Sequence, residues 1–148
     1  MRAKRIQIEL AEMKNKAPEG TFFVNKDEND NFICAIQGPK DTPYQNGFFR
    51  LDITFPNNYP FSPPNVKFIT PILHPNISGT EICLDILQGS WRPIITLGAL
   101  LVSIRSLLND PNFSSPLNSD AASLYGKNKK DYDKQIQEMV QKHATSLI

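Results

Sequence analysis

Cys83, Asn76, His74 and Asp85 are the residues of this chain best placed to do chemistry together. They share one stretch, His74 to Trp91, which reads H-P-N-I-S-G-T-E-I-C-L-D-I-L-Q-G-S-W. Asn76 and Cys83 are seven residues apart with Gly79 between them, so a turn can bring the asparagine amide back over the thiol. A cysteine can accept and pass on an acyl group. An asparagine NH2 aimed at the oxyanion of the tetrahedral intermediate is worth roughly 3 to 4 kcal/mol. On this reading Cys83 is the nucleophile and Asn76 its oxyanion donor, and Pro75 stiffens the approach by fixing its own φ and restricting His74. Plainer readings stand beside it. A cysteine between Ile82 and Leu84 also fits a buried small hydrophobe, and an asparagine in a turn commonly bonds its own backbone. A protease-like triad of Cys83, His74 and Asn76 is disfavoured because the two partners flank a proline and cannot easily stack on one axis. Glu81 and Asp85 flank the thiol with negative charge, which disfavours the thiolate. That suits a thiol receiving an already activated acyl group better than one attacking amides.

The rest of the chain must position this stretch. With 148 residues and 40% hydrophobic content it can bury one real core, and residues 1 to 148 are read as a single domain. A net charge of +1 gives no global pull toward nucleic acid or a membrane. No signal peptide, spanning run or low-complexity tract is read. Two cysteines, Cys34 and Cys83, are too few for a disulfide framework and point to a reduced, intracellular setting. There is no C-x-x-C and the two histidines are far apart, so no metal site is expected. Neither G-x-G-x-x-G nor a P-loop occurs. Half of the 12 prolines fall between Pro56 and Pro75, which predicts a stiff irregular segment.

Residues 2 to 14 predict a helix with Ala3, Ile6, Leu10 and Met13 on one stripe and Lys4, Arg5, Glu9 and Glu12 outside it. Strands are expected over 21 to 25, 32 to 37, 48 to 55 and 66 to 70; in the third, Phe49, Leu51, Ile53 and Phe55 alternate with Arg50, Asp52 and Thr54. The connections leave no room for crossover helices, so the strands form an antiparallel meander. A helix capped by Thr96 follows over 97 to 108, with Leu97, Leu100, Leu101, Ile104 and Leu108 facing the core and Val102 widening the stripe. Two C-terminal helices are expected: 119 to 125, closed by Gly126, and 130 to 144, with Tyr132, Ile136, Met139, Val140 and His143 on one face. The fold class is α+β.

These pieces together resemble the ubiquitin-conjugating enzymes over essentially the whole length, in the short, core-only class. The matching motifs are K-R-I-Q-x-E-L (Lys4 to Leu10), G-P-K-D-T-P-Y (Gly38 to Tyr44) and F-P-N-N-Y-P-F-S-P-P (Phe55 to Pro64). They continue through H-P-N (His74 to Asn76), I-C-L-D-I-L (Ile82 to Leu87) and D-P-N…P-L (Asp110 to Leu117). The resemblance implies that Cys83 takes the C-terminus of ubiquitin from the activating enzyme as a thioester. It then delivers ubiquitin to a substrate lysine with a RING or U-box ligase, or to the cysteine of a HECT-type ligase. No cofactor is implied, ATP being used by the upstream activating enzyme. A monomer in the cytoplasm and nucleus is implied, with no nucleic-acid or membrane partner. Asn76 matches the oxyanion residue, with a loop-structuring role as the alternative. His74 matches a structural position, and Asp85 an acidic residue that helps hold the ubiquitin tail and the incoming lysine. Arg5, Phe61 and Pro93 match a ligase-facing surface, and Lys4 borders the surface shared with the activating enzyme.

Four departures from similar members of the family stand out. The Asn76 to Cys83 spacing is one residue shorter. Arg92 and Ile94 flank Pro93 where smaller residues are usual. Phe22 falls near the position where relatives use a small serine to bind a second ubiquitin on the outer face of the sheet, so weak or no binding is expected there. Ser115 replaces an aspartate near the incoming lysine. Two other functions remain at this level: a non-catalytic scaffold that binds ubiquitin or ligases, and a conjugating enzyme for another ubiquitin-like modifier. The retained Cys83 and Asn76 weigh against the first, and the mildly basic first helix against the second.

Overall fold

Alternating apolar and polar residues from Phe48 to Thr54 make a strand that buries one face and wets the other, and the structure, a computed structural model describing residues 1 to 147, shows this pattern clearly. Strands β1 (Thr21–Lys26), β2 (Phe32–Gln37), β3 (Phe48–Thr54) and β4 (Asn65–Phe68) form one antiparallel sheet in the order β1-β2-β3-β4. This is the expected meander. The fourth strand is shorter than expected, because Ile69 and Thr70 leave the ladder and bond Arg50 instead. Along β1 the register shifts between Phe23 and Asn25, leaving a bulge at Val24.

Among the described residues there are four α-helices: α1 (Arg2–Lys16), α2 (Leu97–Asn109), α3 (Ser119–Lys127) and α4 (Lys129–His143). α2 is the central packed helix. Its residues Leu97, Leu100, Leu101, Ile104, Leu107 and Leu108 are buried in a core shared with Cys34, Ile36, Leu51 and Ile53. Thr96 caps it as expected, accepting from the Ala99 N–H at 3.1 Å. Val102 is on the open side, 39% exposed, and Leu107 takes the inward place instead. α1 stops at Lys16, since Pro18 drives Ala17 to an extended ψ of 133°. The α1 stripe needs one correction: Ala3 is exposed, and Glu9, expected on the wet side, is 1% exposed. Gly126 does not close α3, which runs one residue further to Lys127; the Asn128 side chain then caps α4 by accepting from Asp131 N–H at 3.0 Å. Within α4, Tyr132, Ile136 and Val140 are buried, Met139 is half-buried and His143 is exposed.

Candidate functional site

The stretch from His74 to Trp91 carries a second, minimal sheet. β5 (Ile77–Ser78) and β6 (Glu81–Ile82) pair antiparallel across a two-residue loop, Gly79-Thr80. Gly79 has φ +59° while Thr80 does not share that region, which matches the glycine-first type II′ hairpin pattern. The register pairs Ile77 with Ile82. The next residues out, Asn76 and Cys83, are therefore cross-strand neighbours, and the Cys83 N–H donates to the Asn76 carbonyl at 2.9 Å. The seven-residue spacing is thus a hairpin register. Ile77 and Ile82 belong to the core.

The two cysteines differ sharply. Cys34 is fully buried in β2, and burial pushes its thiol up to about 12. Cys83 is half-buried. Only Cys83 is accessible to a large acyl donor.

His74 is wholly buried, and both ring nitrogens are engaged. Nε2 donates to the Leu107 carbonyl at 2.7 Å, and Nδ1 accepts from the Asn76 N–H at 3.0 Å. That pairing is satisfied by one neutral tautomer. Burial lowers its pKa to about 4, partly opposed by the Leu107 bond. His74 ties the hairpin to the end of α2, and both of its ring nitrogens are engaged in doing so.

Asn76 is 1% exposed. Its amide clamps the backbone of Asn112, donating from Nδ2 to the carbonyl at 2.8 Å and accepting at Oδ1 from the N–H at 2.8 Å. Pro75 anchors the other end of the same loop: its carbonyl accepts from Leu117 and Asn118, each at 2.9 Å. The loop bearing Ser115 is thereby pinned beside the hairpin on both sides. Ser115 itself is exposed. Asp85 is exposed and opens a 3-10 turn, Asp85–Leu87, where its Oδ1 accepts from Ile86 N–H at 2.8 Å. Sequence reasoning missed Asn112 and Asn118 as positioning residues. Their only signal is the D-P-N…N spacing, which does not say what they bond.

A second group lies at the far end of the stretch. Phe61 is 63% exposed and Ile94 83% exposed, with Arg92, Pro93 and Lys4 also on the surface. Trp91 lies beneath them, donating from Nε1 to the Pro60 carbonyl at 2.9 Å. Arg5 departs from its expected outward place. Its guanidinium turns inward and donates to the Pro93 carbonyl at 2.7 Å and the Ile95 carbonyl at 2.9 Å. It therefore braces this surface from behind. Phe22 is half-buried on the outer face of the sheet, edge-on to Phe48 with ring centroids 5.8 Å apart.

Among the described residues, no three His, Cys, Asp or Glu side chains gather closely enough to hold a metal ion. No described helix is long and apolar enough to cross a membrane.

The ubiquitin-conjugating enzyme family model matches residues 5–140. The chain is 45% identical to ubiquitin-conjugating enzyme E2 2 of Aspergillus fumigatus, covering 94% of this chain and 93% of that protein. It is 40% identical to human ubiquitin-conjugating enzyme E2 T, covering 97% of this chain and 76% of that one. Among solved structures it is similar to the E2 domain of a Toxoplasma gondii ubiquitin conjugating enzyme, with a TM-score of 0.89 and 34% identity over 97% of this chain and 99% of that chain. With the meander, its helices and a half-buried cysteine in the hairpin, these likenesses place the chain in the ubiquitin-conjugating enzyme family, transferases that act through a cysteine thioester.

Proposed function

We propose that Cys83 is the thioester-forming residue, with Asn76 and the pinned 110–118 loop arranging the second transfer. The observation that carries this reading is the hairpin register that sets half-buried Cys83 opposite Asn76. In the first step the Cys83 sulfur attacks the carbonyl of ubiquitin's C-terminal residue, held as a thioester on the activating enzyme. The new C–S bond forms, the old one breaks, and the activating enzyme's cysteine leaves as a thiol. In the second step a neutral lysine amine attacks the same carbonyl. Cys83 leaves, the amine gives up a proton, and an isopeptide bond results. Asn76 has two amide hydrogens; one holds Asn112, and the other serves the oxyanion of the second step. Asp85, two residues from Cys83, and Ser115, on the loop that Asn76 and Pro75 pin, are both exposed and contact the ubiquitin tail and the approaching lysine.

Membership of the family brings interaction with ubiquitin, an activating enzyme and ligases. The finer assignment is our reading: Phe61, Arg92, Pro93 and Ile94 face RING, U-box or HECT ligases, and Lys4 faces the activating enzyme. The enzyme works as a monomer, as one catalytic unit without a cofactor, in the cytoplasm and nucleus. The test is loading with activating enzyme, ATP and ubiquitin or another modifier in turn. Wild type is expected to give a thiol-sensitive ubiquitin adduct and Cys83→Ser a thiol-resistant oxyester, because the hydroxyl attacks but its ester is less reactive. Cys34→Ser is expected to load as wild type does. Loading that survives Cys83→Ala and fails in Cys34→Ala overturns the assignment.

A further inference from the structure

Glu9 is a carboxylate at 1% exposure in the middle of α1, where an apolar residue would bury at lower cost. Its partners explain why it is tolerated. Oε2 accepts from the Leu97 N–H, one of the N-terminal donors of α2 that has no partner within its own helix. The same oxygen accepts from the Tyr59 hydroxyl at 3.3 Å, and Oε1 lies 4.0 Å from Arg5 Nε. Burial pushes this carboxyl upward, and the Leu97 N–H and the Arg5 charge pull it back down.

Through Arg5 the contact extends to the Pro93 and Ile95 carbonyls, so α1 holds residues 93, 95 and 97 of one segment by a single ionic pair. The Tyr59 ring lies 5.6 Å from the Arg5 guanidinium and 6.2 Å from Trp91, which in turn holds the Pro60 carbonyl. The exposed side chains of the proposed ligase face sit at or next to backbone positions held by Arg5 or Trp91: Phe61 follows Pro60, Arg92 precedes Pro93, Pro93 carries one carbonyl bound by Arg5, and Ile94 lies between it and the other, Ile95. Apolar packing alone would let α1 slide or roll against this segment. Directional bonds to a buried charge fix one register.

We propose that Glu9 is a positioning residue for ligase engagement: through Arg5 and the Leu97 N–H it sets Phe61, Pro93 and Ile94 as one preorganised surface. The inference rests on the ligase-face reading above. Preorganisation reduces what binding must order, so its loss appears in ligase affinity and not in the transfer chemistry.

The test is ligase-stimulated discharge of loaded enzyme, titrated with a RING ligase. Glu9→Gln keeps an acceptor for Leu97 but cannot hold Arg5 by charge. It is expected to raise the half-saturating ligase concentration by about tenfold with the maximal rate within about twofold. Loading at Cys83 and ligase-free discharge serve as controls, expected within about twofold of wild type. Adding Glu9→Gln to Arg5→Ala is expected to change half-saturation little further, since both break one linkage. Should Glu9→Gln not fold, Arg5→Lys makes the same test: an ammonium keeps the charge but cannot span both carbonyls, and the same shift in half-saturation is expected. An unchanged half-saturation in a folded variant, or a parallel fall in loading, ligase-free discharge and maximal rate, overturns the proposal. Phe61→Ala separates the two layers. If it leaves the titration unchanged, the ligase face itself is wrong and the inference falls with it; if it shifts while Glu9→Gln does not, only the inference fails.

Discussion

The thiol hairpin and the Phe61–Pro93–Ile94 corner use polar groups in opposite ways. At the hairpin, polar side chains are buried and grip neighbouring backbone: His74 holds Leu107 and Asn76 holds Asn112. At the corner, apolar side chains stand in water, and the backbone carbonyls behind them are gripped from beneath by Arg5 and Trp91. A site that stabilises a transition state must hold its dipoles still before the reaction. A transient interface needs exposed anchors on a firm base, because most binding energy comes from few residues. Damage to the first region should therefore change rates of chemistry or stability, and damage to the second should change partner affinity alone.

The sharpest way to break this contrast is Asn76→Ala. Discharge to free lysine is expected to fall by about 100-fold to 1000-fold if the amide serves the oxyanion, with loading reduced far less. Equal losses in both steps, together with a lower Tm, would reduce Asn76 to a loop clamp; single-turnover loading and discharge assays decide. His74 comes next. Its folded pKa of about 4 lies below the ordinary value of 6.5, so its stabilising contribution is full above pH 6.5 and lost as pH falls toward 4. The expected loss is on the order of 3 kcal/mol. Glu9 runs the other way, because a carboxyl raised by burial stabilises the fold at low pH and less as pH rises. Denaturant melts of wild type and His74→Gln across pH 4 to 7.5 isolate the histidine: the difference between them should shrink on acidification, and a constant difference would deny the linkage.

At the corner, Phe61→Ala is expected to cost roughly 2 kcal/mol in ligase binding, with loading and Tm unchanged. A parallel drop in Tm would show that Phe61 belongs to the core as much as to the surface. The smallest effect is expected at Ser115. Only about one lysine in a thousand or fewer is neutral at pH 7, so a carboxylate here should help recruit and deprotonate it. Ser115→Asp is expected to speed ligase-free discharge a few-fold and Ser115→Ala to slow it modestly. Superimposable profiles from pH 6.5 to 9 would leave Ser115 a loop residue.

Much of this was legible in the residues themselves. Period-two alternation from Phe48 to Thr54, the helical stripe of α2 and the Thr96 cap are local, and local sterics and burial decide them. The Asn76–Gly79–Cys83 spacing likewise predicts a turn, because a glycine-first two-residue loop has few ways to close. Tertiary structure decided which way the long polar side chains turn. Glu9 and Arg5 have the sequence signature of a solvated helix face, yet the start of α2 and the carbonyls at 93 and 95 lie across from them and present unpaired groups. Asn76 meets Asn112, and Pro75 meets Leu117 and Asn118, at sequence separations of 36 or more, and no local pattern encodes those meetings. Periodicity reports which face is apolar; only the packed fold shows which buried donors and acceptors remain to be satisfied, and therefore which polar residues must go inside.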